Sequence, residues 1–300
     1  MKPLKILVTG ANGQLGQDLM NLLGGIEPKG AIRGRTKLTQ TGIIEAVGVD
    51  IDTLDITKRD QVLEAFDQIG PDVVIHCAAY TATDKCETEP EMAFKVNAVG
   101  TRNIVEGARS QGSHVIYVST DYVFDGNLGR PYVEWDIPSP VSVYGKSKLG
   151  GERELYPGDT IVRTSWVCGF FGANMVKTVL SLKDGSNPLY FVDDQFGCPT
   201  FTAELSVKLR DLAMSGHPGI FHVTNQGPTN WYEFVREIMD KCGGDKERIN
   251  PIPTKDLDPP RPAPRPPYSV LDNAALRLLD LELLPHWSES LEALLSALDT

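Results

Sequence analysis

The chain has 300 residues, 41% hydrophobic and 23% charged, a balance that excludes a wholly disordered, collagenous or coiled-coil protein. At about 150 residues per domain, this length predicts two domains, or one large α/β unit with an appendage. Lys and Arg number 29 against 40 Asp and Glu, a formal net charge of −11; such a surface repels phosphate backbones and anionic lipid, so nucleic acid and membranes are poor partners.

Residues 4–9 (LKILVT) read as a short buried strand running into a glycine-rich turn, and QLGQDLMNLL (14–23) carries apolar residues at helical spacing. Strand, turn and helix in that order open a doubly wound nucleotide-binding fold. Residues 24–42 read as a loop, with Lys29, Arg33, Arg35 and Lys37 against a lone Glu27. A strand at 43–49, a helix near 58–69, a strand at 72–77 behind Pro71, a helix at about 90–110 and a strand at 114–119 follow. That alternation of apolar runs and amphipathic helices predicts a parallel sheet.

Past Gly150 the pattern is less regular. Strands are expected at 161–167, 189–194 and 219–224, and helices at 173–183, 203–214 and 231–242. Six prolines in 258–268 exclude a helix or central strand there, and a last helix is expected at 288–298. The expected fold is α/β: a doubly wound, Rossmann-like parallel sheet with a smaller C-terminal substrate-binding lobe. The dinucleotide-binding domain takes residues 1–165, with returning segments at about 195–225; the lobe takes 166–194 and 226–300.

No apolar run reaches the roughly 20 residues of a membrane helix, and Ile6–Val8 is too short for a signal-peptide core. Five widely spaced cysteines without a CxxC predict a reduced, cytoplasmic chain. The five histidines form no metal-ligand pattern and are expected to be structural.

Three motifs carry chemistry. Gly10, Gly13 and Gly16 stand three apart between the first strand and helix. Gly10 suits a tight turn, Gly13 lets a pyrophosphate approach the helix N-terminus, and Gly16 lets the helix pack on the sheet. Asp50, ending the second strand, is the acidic residue expected at the adenosine ribose, although it lies about twice the usual 20 residues from the glycines. The excess is the 24–42 loop, whose basic residues offer an alternative partner for a ribose 2′-phosphate.

Tyr144 and Lys148 stand at i and i+4, on one helix face. A neighbouring ammonium is expected to lower the phenol's pKa from about 10 toward neutrality, giving a usable proton donor and acceptor. A hydroxyl at the end of the 114–119 strand, Thr120 or Ser119, stands where such sheets bind ligands and could polarise a substrate carbonyl.

The strings LDIT (54–57), AAYTATDKCETEPE (78–91), STDYVFDG (119–126), VYGKSKLGGE (143–152), RTSWV (163–167), DDQFGCPT (193–200) and RPPYSVLD (265–272) occur in order. With the glycine turn, they resemble the extended short-chain dehydrogenase/reductase family, and within it the dTDP-4-dehydrorhamnose reductase family, from residue 4 to about 272. The resemblance implies an oxidoreductase using NADPH or NADH that reduces the 4-keto group of dTDP-4-dehydro-L-rhamnose for polysaccharide biosynthesis. It implies that Gly13, Gln14 and Leu15 line the pyrophosphate, Asp55 and Ile56 flank the adenine, and Ala78, Ala79 and Tyr80 lie along the dinucleotide. Thr120, Tyr144 and Lys148 would be catalytic, Lys148 also holding the nicotinamide ribose. Asp121 and Trp166 would contact the nucleotide-sugar, the indole stacking on thymine.

Ile51 stands where many relatives carry an arginine, which moves weight toward NADH or dual use. Some relatives bind magnesium between the subunits of a homodimer through acidic side chains, for which Asp18 and Glu204 are the nearest matches. Two alternatives remain: a reductase or epimerase acting on another nucleotide sugar, and a non-enzymatic chain resembling the regulatory subunit of methionine adenosyltransferase.

Overall fold

The computed structural model describes residues 3–35 and 43–299; Lys37 and the rest of 36–42 lie outside them. The chain opens with β1 (Leu4–Thr9), α1 (Gln14–Leu23), β2 (Ile44–Val49), α2 (Arg59–Ile69) and β3 (Val73–His76). Helices α3 (Thr83–Thr88) and α4 (Pro90–Phe94), a π-helical turn (Lys95–Gly100), α5 (Thr101–Gln111), β4 (His114–Thr120) and α6 (Val143–Glu152) follow. Next come β5 (Thr160–Thr164), β6 (Val167–Cys168), α7 (Met175–Leu182), β7 (Leu189–Val192), β8 (Phe196–Gly197), β9 (Thr200–Phe201) and α8 (Thr202–Ser215). The chain ends with β10 (Gly219–His222), β11 (Thr229–Asn230), α9 (Trp231–Lys241), β12 (Ile249–Ile252), α10 (Ala274–Leu278) and α11 (Trp287–Leu298).

Six strands form the expected parallel sheet, in the order β10-β5-β4-β3-β1-β2. Side chains alternate across it. Ile6, Val8 and Ile75 meet Leu15, Leu19 and Leu23 of α1 and Leu205, Leu209 and Leu212 of α8 on one face. Leu7, Val74 and Val115 meet Val62 and Phe66 of α2 and Ile104 and Ala108 of α5 on the other. With helices on both faces the central strands are almost wholly apolar, which explains the continuous hydrophobic runs. From β1 the chain crosses to β2 on one side, and from β2 it crosses back past β1 to β3 on the other. The carboxyl ends of β1 and β3 therefore open a crevice at the switch point.

A second apolar cluster joins α7, α9 and α11, through Val176, Val179, Phe234, Ile238, Leu291 and Leu294. Small two-stranded pairings, β12 with β7, β6 with β9 and β11 with β8, connect it to the sheet.

Two predicted elements are broken. The expected strand 161–167 stops after Thr164, because Trp166 turns into the left-handed region at φ 47° and β6 leaves to pair with β9. A positive φ at a bulky residue is strained. The expected helix 90–110 contains the π turn, a bulge common at functional sites. That turn directs Asn97 inward, where its Oδ1 accepts the Tyr80 N–H at 2.7 Å and its Nδ2 donates to Ser147 Oγ at 2.9 Å. The proline-rich stretch is neither helix nor central strand, as expected; at its end Phe196 N donates to Pro267 O and Ser269 N to Phe196 O, each at 2.8 Å.

A buried ion pair locks three sheet-side elements together. Arg163 of β5 donates to both Glu152 oxygens of α6 at 2.9 and 2.7 Å, and Ser119 of β4 donates to the same carboxylate. Both charged side chains are 5% exposed or less, so neither ion can regain water if its partner is lost. Replacing Glu152 by Ala or Arg163 by Met is expected to lower the unfolding free energy by about 3–5 kcal/mol, read from urea midpoints. A loss below about 1 kcal/mol, the value of an exposed pair, would contradict this.

Candidate active site

The crevice begins where β1 meets α1. Gly10 takes φ +69°, and a Cβ on it would lie 2.8 Å from Ala78 N. A Cβ on Gly16 would lie 2.1 Å from the Gly10 carbonyl oxygen. Backbone therefore packs on backbone at both positions, and no larger residue fits without moving the helix. Gly13 is the N-cap of α1; no side chain caps it, and the first turn holds no acidic residue. The free N–H groups and partial positive charge of that end are left for an anion. These are features a dinucleotide pyrophosphate requires, so the residues fit the cofactor implied by the sequence.

One cleft of about 830 Å³ runs from this turn across the carboxyl ends of the strands. Gly10, Gly13, Gln14, Leu15, Gly16, Asp50, Ile56, Ala78, Ala79, Tyr80, Thr120, Asp121, Tyr144, Lys148 and Trp166 all line it. Ser119, the alternative hydroxyl, lines it too but is turned to Glu152. Asp55 does not line it. Its carboxylate accepts the Thr57 N–H and hydroxyl, and these bonds hold its pKa below the usual range against a desolvation that pulls it up. Asp50 lies at the rim, accepting the N–H groups of Asn12 and Ile51 at 2.9 and 2.8 Å. It thereby joins the glycine turn to the end of β2.

Lys29, Arg33 and Arg35, the described basic residues of the 24–42 loop, do not line the cleft, and Lys37 lies outside the described residues. Lys29 sits over the Phe170 ring at 4.4 Å, and Arg35 pairs with Glu282 at 3.9 Å. Both are held elsewhere by aromatic and acidic partners.

The catalytic candidates meet at the centre. Thr120 ends β4. Ser142 caps α6 by accepting the Gly145 N–H at 3.1 Å. A Cβ on Gly145 would lie 2.1 Å from Tyr122 O, so that glycine lets the first turn of α6, with Tyr144, press against the Thr120 loop. One turn on, Lys148 Nζ donates to Val118 O at 2.8 Å and lies 4.1 Å above the Tyr117 ring.

The electrostatics depart from the sequence expectation. The Tyr144 pKa is not lowered. The protein packed around the phenol pushes it up, and only the Thr120 hydroxyl works against that rise. Burial, opposed by Glu152, instead brings Lys148 down to about 7. The lysine is engaged below, at Val118 and Tyr117, so desolvation outweighs attraction between the pair. Beneath it, burial and the Lys148 charge push His76 down to about 3, and its ring bonds to Thr9 Oγ1 at 2.6 Å.

The Trp166 ring stacks on Trp231 at 3.7 Å and 11°, and a Cβ on Gly197 would lie 2.6–2.9 Å from three atoms of the same indole. Trp231 thus takes one face of the Trp166 ring, while Trp166 still lines the cleft. Trp231, which also lines the cleft, went unnoticed in the sequence, as did Tyr122, Cys77 and Ser269. Only a tertiary contact marks them; Asn230, capping α9 just before Trp231, is the one local signal.

Within this chain Asp18 and Glu204 stand in separate surroundings. Burial raises Asp18 to about 6, and it accepts the Thr202 hydroxyl; burial raises Glu204 to about 7 in a separate small cavity shared with Arg35 and Lys208. Among the described residues no three His, Cys, Asp or Glu side chains of this chain gather.

Residues 4–300 match the family described as the RmlD substrate binding domain. The chain is 40% identical to the dTDP-4-dehydrorhamnose reductase of Streptomyces griseus, across 95% of this chain and 91% of the relative. A dTDP-4-dehydrorhamnose reductase structure from Clostridium acetobutylicum superposes with a TM-score of 0.89 at 39% identity, covering 99% and 100% of the two chains. One from Bacillus anthracis, in complex with NADP, gives 0.88 at 34% identity, covering 98% and 99%.

The lysine yields a pH prediction. Its ordinary value of 10.5 applies to the unfolded chain, and the folded value is about 7. Between these the unfolded state binds more protons, so Lys148 opposes folding at and below pH 7 and ceases to do so as pH rises toward 10.5. Lys148→Met is expected to melt at a higher temperature than the native chain at pH 7, the gap closing by pH 10. A gap independent of pH would contradict the buried ammonium.

Proposed function

The chain belongs to the RmlD substrate-binding family, and on that premise we propose that it reduces the 4-keto group of dTDP-4-dehydro-L-rhamnose to give dTDP-L-rhamnose, using NADPH or NADH. One observation carries this reading: a single cleft joins the uncapped glycine turn to Thr120, Tyr144 and Lys148, and continues to Trp166 and Trp231.

The Gly10–Gly16 turn and the α1 N-terminus would hold the cofactor's pyrophosphate, and Asp50 would serve its adenosine ribose. The bound nicotinamide supplies the hydride for the carbonyl carbon. Tyr144, kept protonated by its surroundings, gives its proton to the oxygen as negative charge develops there. Thr120 hydrogen-bonds the same oxygen, and such a donor contributes most in the transition state. Lys148, in its charged form, steadies the tyrosinate left behind and holds the nicotinamide ribose. The Trp166–Trp231 stack and Asp121 border the sugar-nucleotide end.

The same reading divides the chain into a dinucleotide-binding part, 1–165 with about 195–225, and a sugar-nucleotide lobe, 166–194 with 226–300. The separate apolar cluster around α7, α9 and α11 supports that division. A homodimer belongs to the reading, supported by exposed Met92, Phe94 and Val99 along one helical stretch. So does a cytoplasmic site of action, where nucleotide sugars and reduced dinucleotides meet. Exposed Ile51 beside Asp50 supports use of NADH as well as NADPH.

Tyr144→Phe is expected to lower kcat by about 10²–10⁴-fold, the range of general acid catalysis, with dinucleotide and dTDP-sugar binding retained by calorimetry. Unchanged turnover would remove Tyr144 from the mechanism. A native chain that oxidises neither cofactor with any 4-keto nucleotide sugar would favour the regulatory, non-enzymatic role.

A further inference from the structure

Thr120 is read above as a donor to the ketone, and its hydroxyl is already shared between the Tyr144 phenol and the Asp121 carboxylate. Thr120 Oγ1 donates to Asp121 Oδ1 at 3.0 Å and accepts the Tyr122 N–H at 3.2 Å. The other Asp121 oxygen accepts the Ser269 hydroxyl at 2.5 Å. Ser269 comes from the end of the proline-rich stretch and is fixed by its own N–H on Phe196 O.

A hydroxyl has one donor and two acceptor sites, and an ionised carboxylate only accepts. While Asp121 is a carboxylate, it holds the Thr120 proton on Oδ1, and Thr120 can turn to a ketone only by giving up that buried bond and leaving the carboxylate to Ser269 and the backbone N–H groups of Asp121 and Tyr122. With a proton on Oδ1 the pattern closes. Asp121 donates to Thr120, Thr120 still accepts from Tyr122, and the threonine proton is free to face the cleft. Ser269 donates to Oδ2 in both states.

We infer that Asp121 is a positioning residue working as a neutral acid: it sets the direction of the Thr120 hydroxyl, turning that proton toward the substrate ketone. The inference rests on the ketone-reducing reading of the cleft. Asp121 keeps its proton through the reaction, so no bond is made or broken at it.

The surroundings favour the acid. Asp121 is 2% exposed. The ionisable groups facing it are Tyr122 beside it, Tyr144 from α6 and Cys198 from the segment after β8, none of them cationic. Burial raises Asp121 to about 7, against the pull of the Ser269 and Thr120 hydrogen bonds.

Asparagine mimics the acid: its amide oxygen accepts from Ser269 while its nitrogen donates to Thr120. The test is kcat/KM against pH for the native chain, Asp121→Asn and Ser269→Ala, with the infrared carboxylic-acid band followed in parallel. Lys148 titrates in the same range, so the ratio of variant to native is the readout. The ratio of Asp121→Asn to native kcat/KM should rise by about 10²-fold between pH 6 and pH 9, the size of a lost oxyanion donor, whatever constant factor the substitution costs in sugar-nucleotide binding. Ser269→Ala should move the native decline to higher pH, because it removes a bond that keeps Asp121 acidic. The acid band should be present at pH 6, lost by pH 9, and missing the Asp121 component in the asparagine variant.

A constant ratio across pH, an unmoved decline in Ser269→Ala, or no Asp121 acid band at pH 6 would each overturn the inference. A native chain inactive on 4-keto nucleotide sugars would sink the functional reading instead, and the infrared band would then decide the state of Asp121 alone.

Discussion

The cleft exists because one helix is allowed to touch the sheet. Where β1 turns into α1, the backbone of Gly16 packs against the backbone of Gly10, and Gly10 against Ala78. Side chains at these positions would lift α1 from the strand ends. The contact leaves the α1 N-terminus uncapped over the switch point between β1 and β3. Because every strand of the sheet is parallel, the ends of β3, β4 and β5 open on the same side. The turn that suits a phosphate and the strand end that carries Thr120 therefore face one space.

Within that space desolvation, more than pairwise attraction, sets the charges. Tyr144 and Asp121 move up, and Lys148 and His76 move down. All four shifts disfavour the charged form, as expected where water is excluded. The result is a site whose acids are protonated and whose hydrogen-bond directions carry the information. The buried Glu152–Arg163 pair shows how an ion is kept nearby: bidentate and tied to Ser119.

Much of this was legible in the residues. Gly10, Gly13 and Gly16 announce a backbone approach, because only glycine permits it. The i, i+4 spacing of Tyr144 and Lys148 is a property of one helix and needs no tertiary knowledge. The apolar runs name the central strands because burial on both faces leaves no polar alternation. What escaped depends on neighbours far along the chain. The direction of the Tyr144 shift follows from packing around the phenol and from Lys148 being held at Val118. The stacking of Trp166 follows from Trp231, and its tight fit from Gly197. Asp55 carries a motif, but its nearest donors are those of Thr57. The break at Trp166 and the π turn at Asn97 override propensities that read as an unbroken strand and helix.

The account stands on a ketone carbon receiving hydride within this cleft. The most direct measurement supplies NADPH or NADH deuterated at C4 of the nicotinamide, together with the dTDP-4-keto sugar, and locates the label in the product by NMR. The account predicts one deuterium on carbon 4 of the sugar. Deuterium on another carbon, or a 4-hydroxy product formed without label from either face of the nicotinamide, would contradict it.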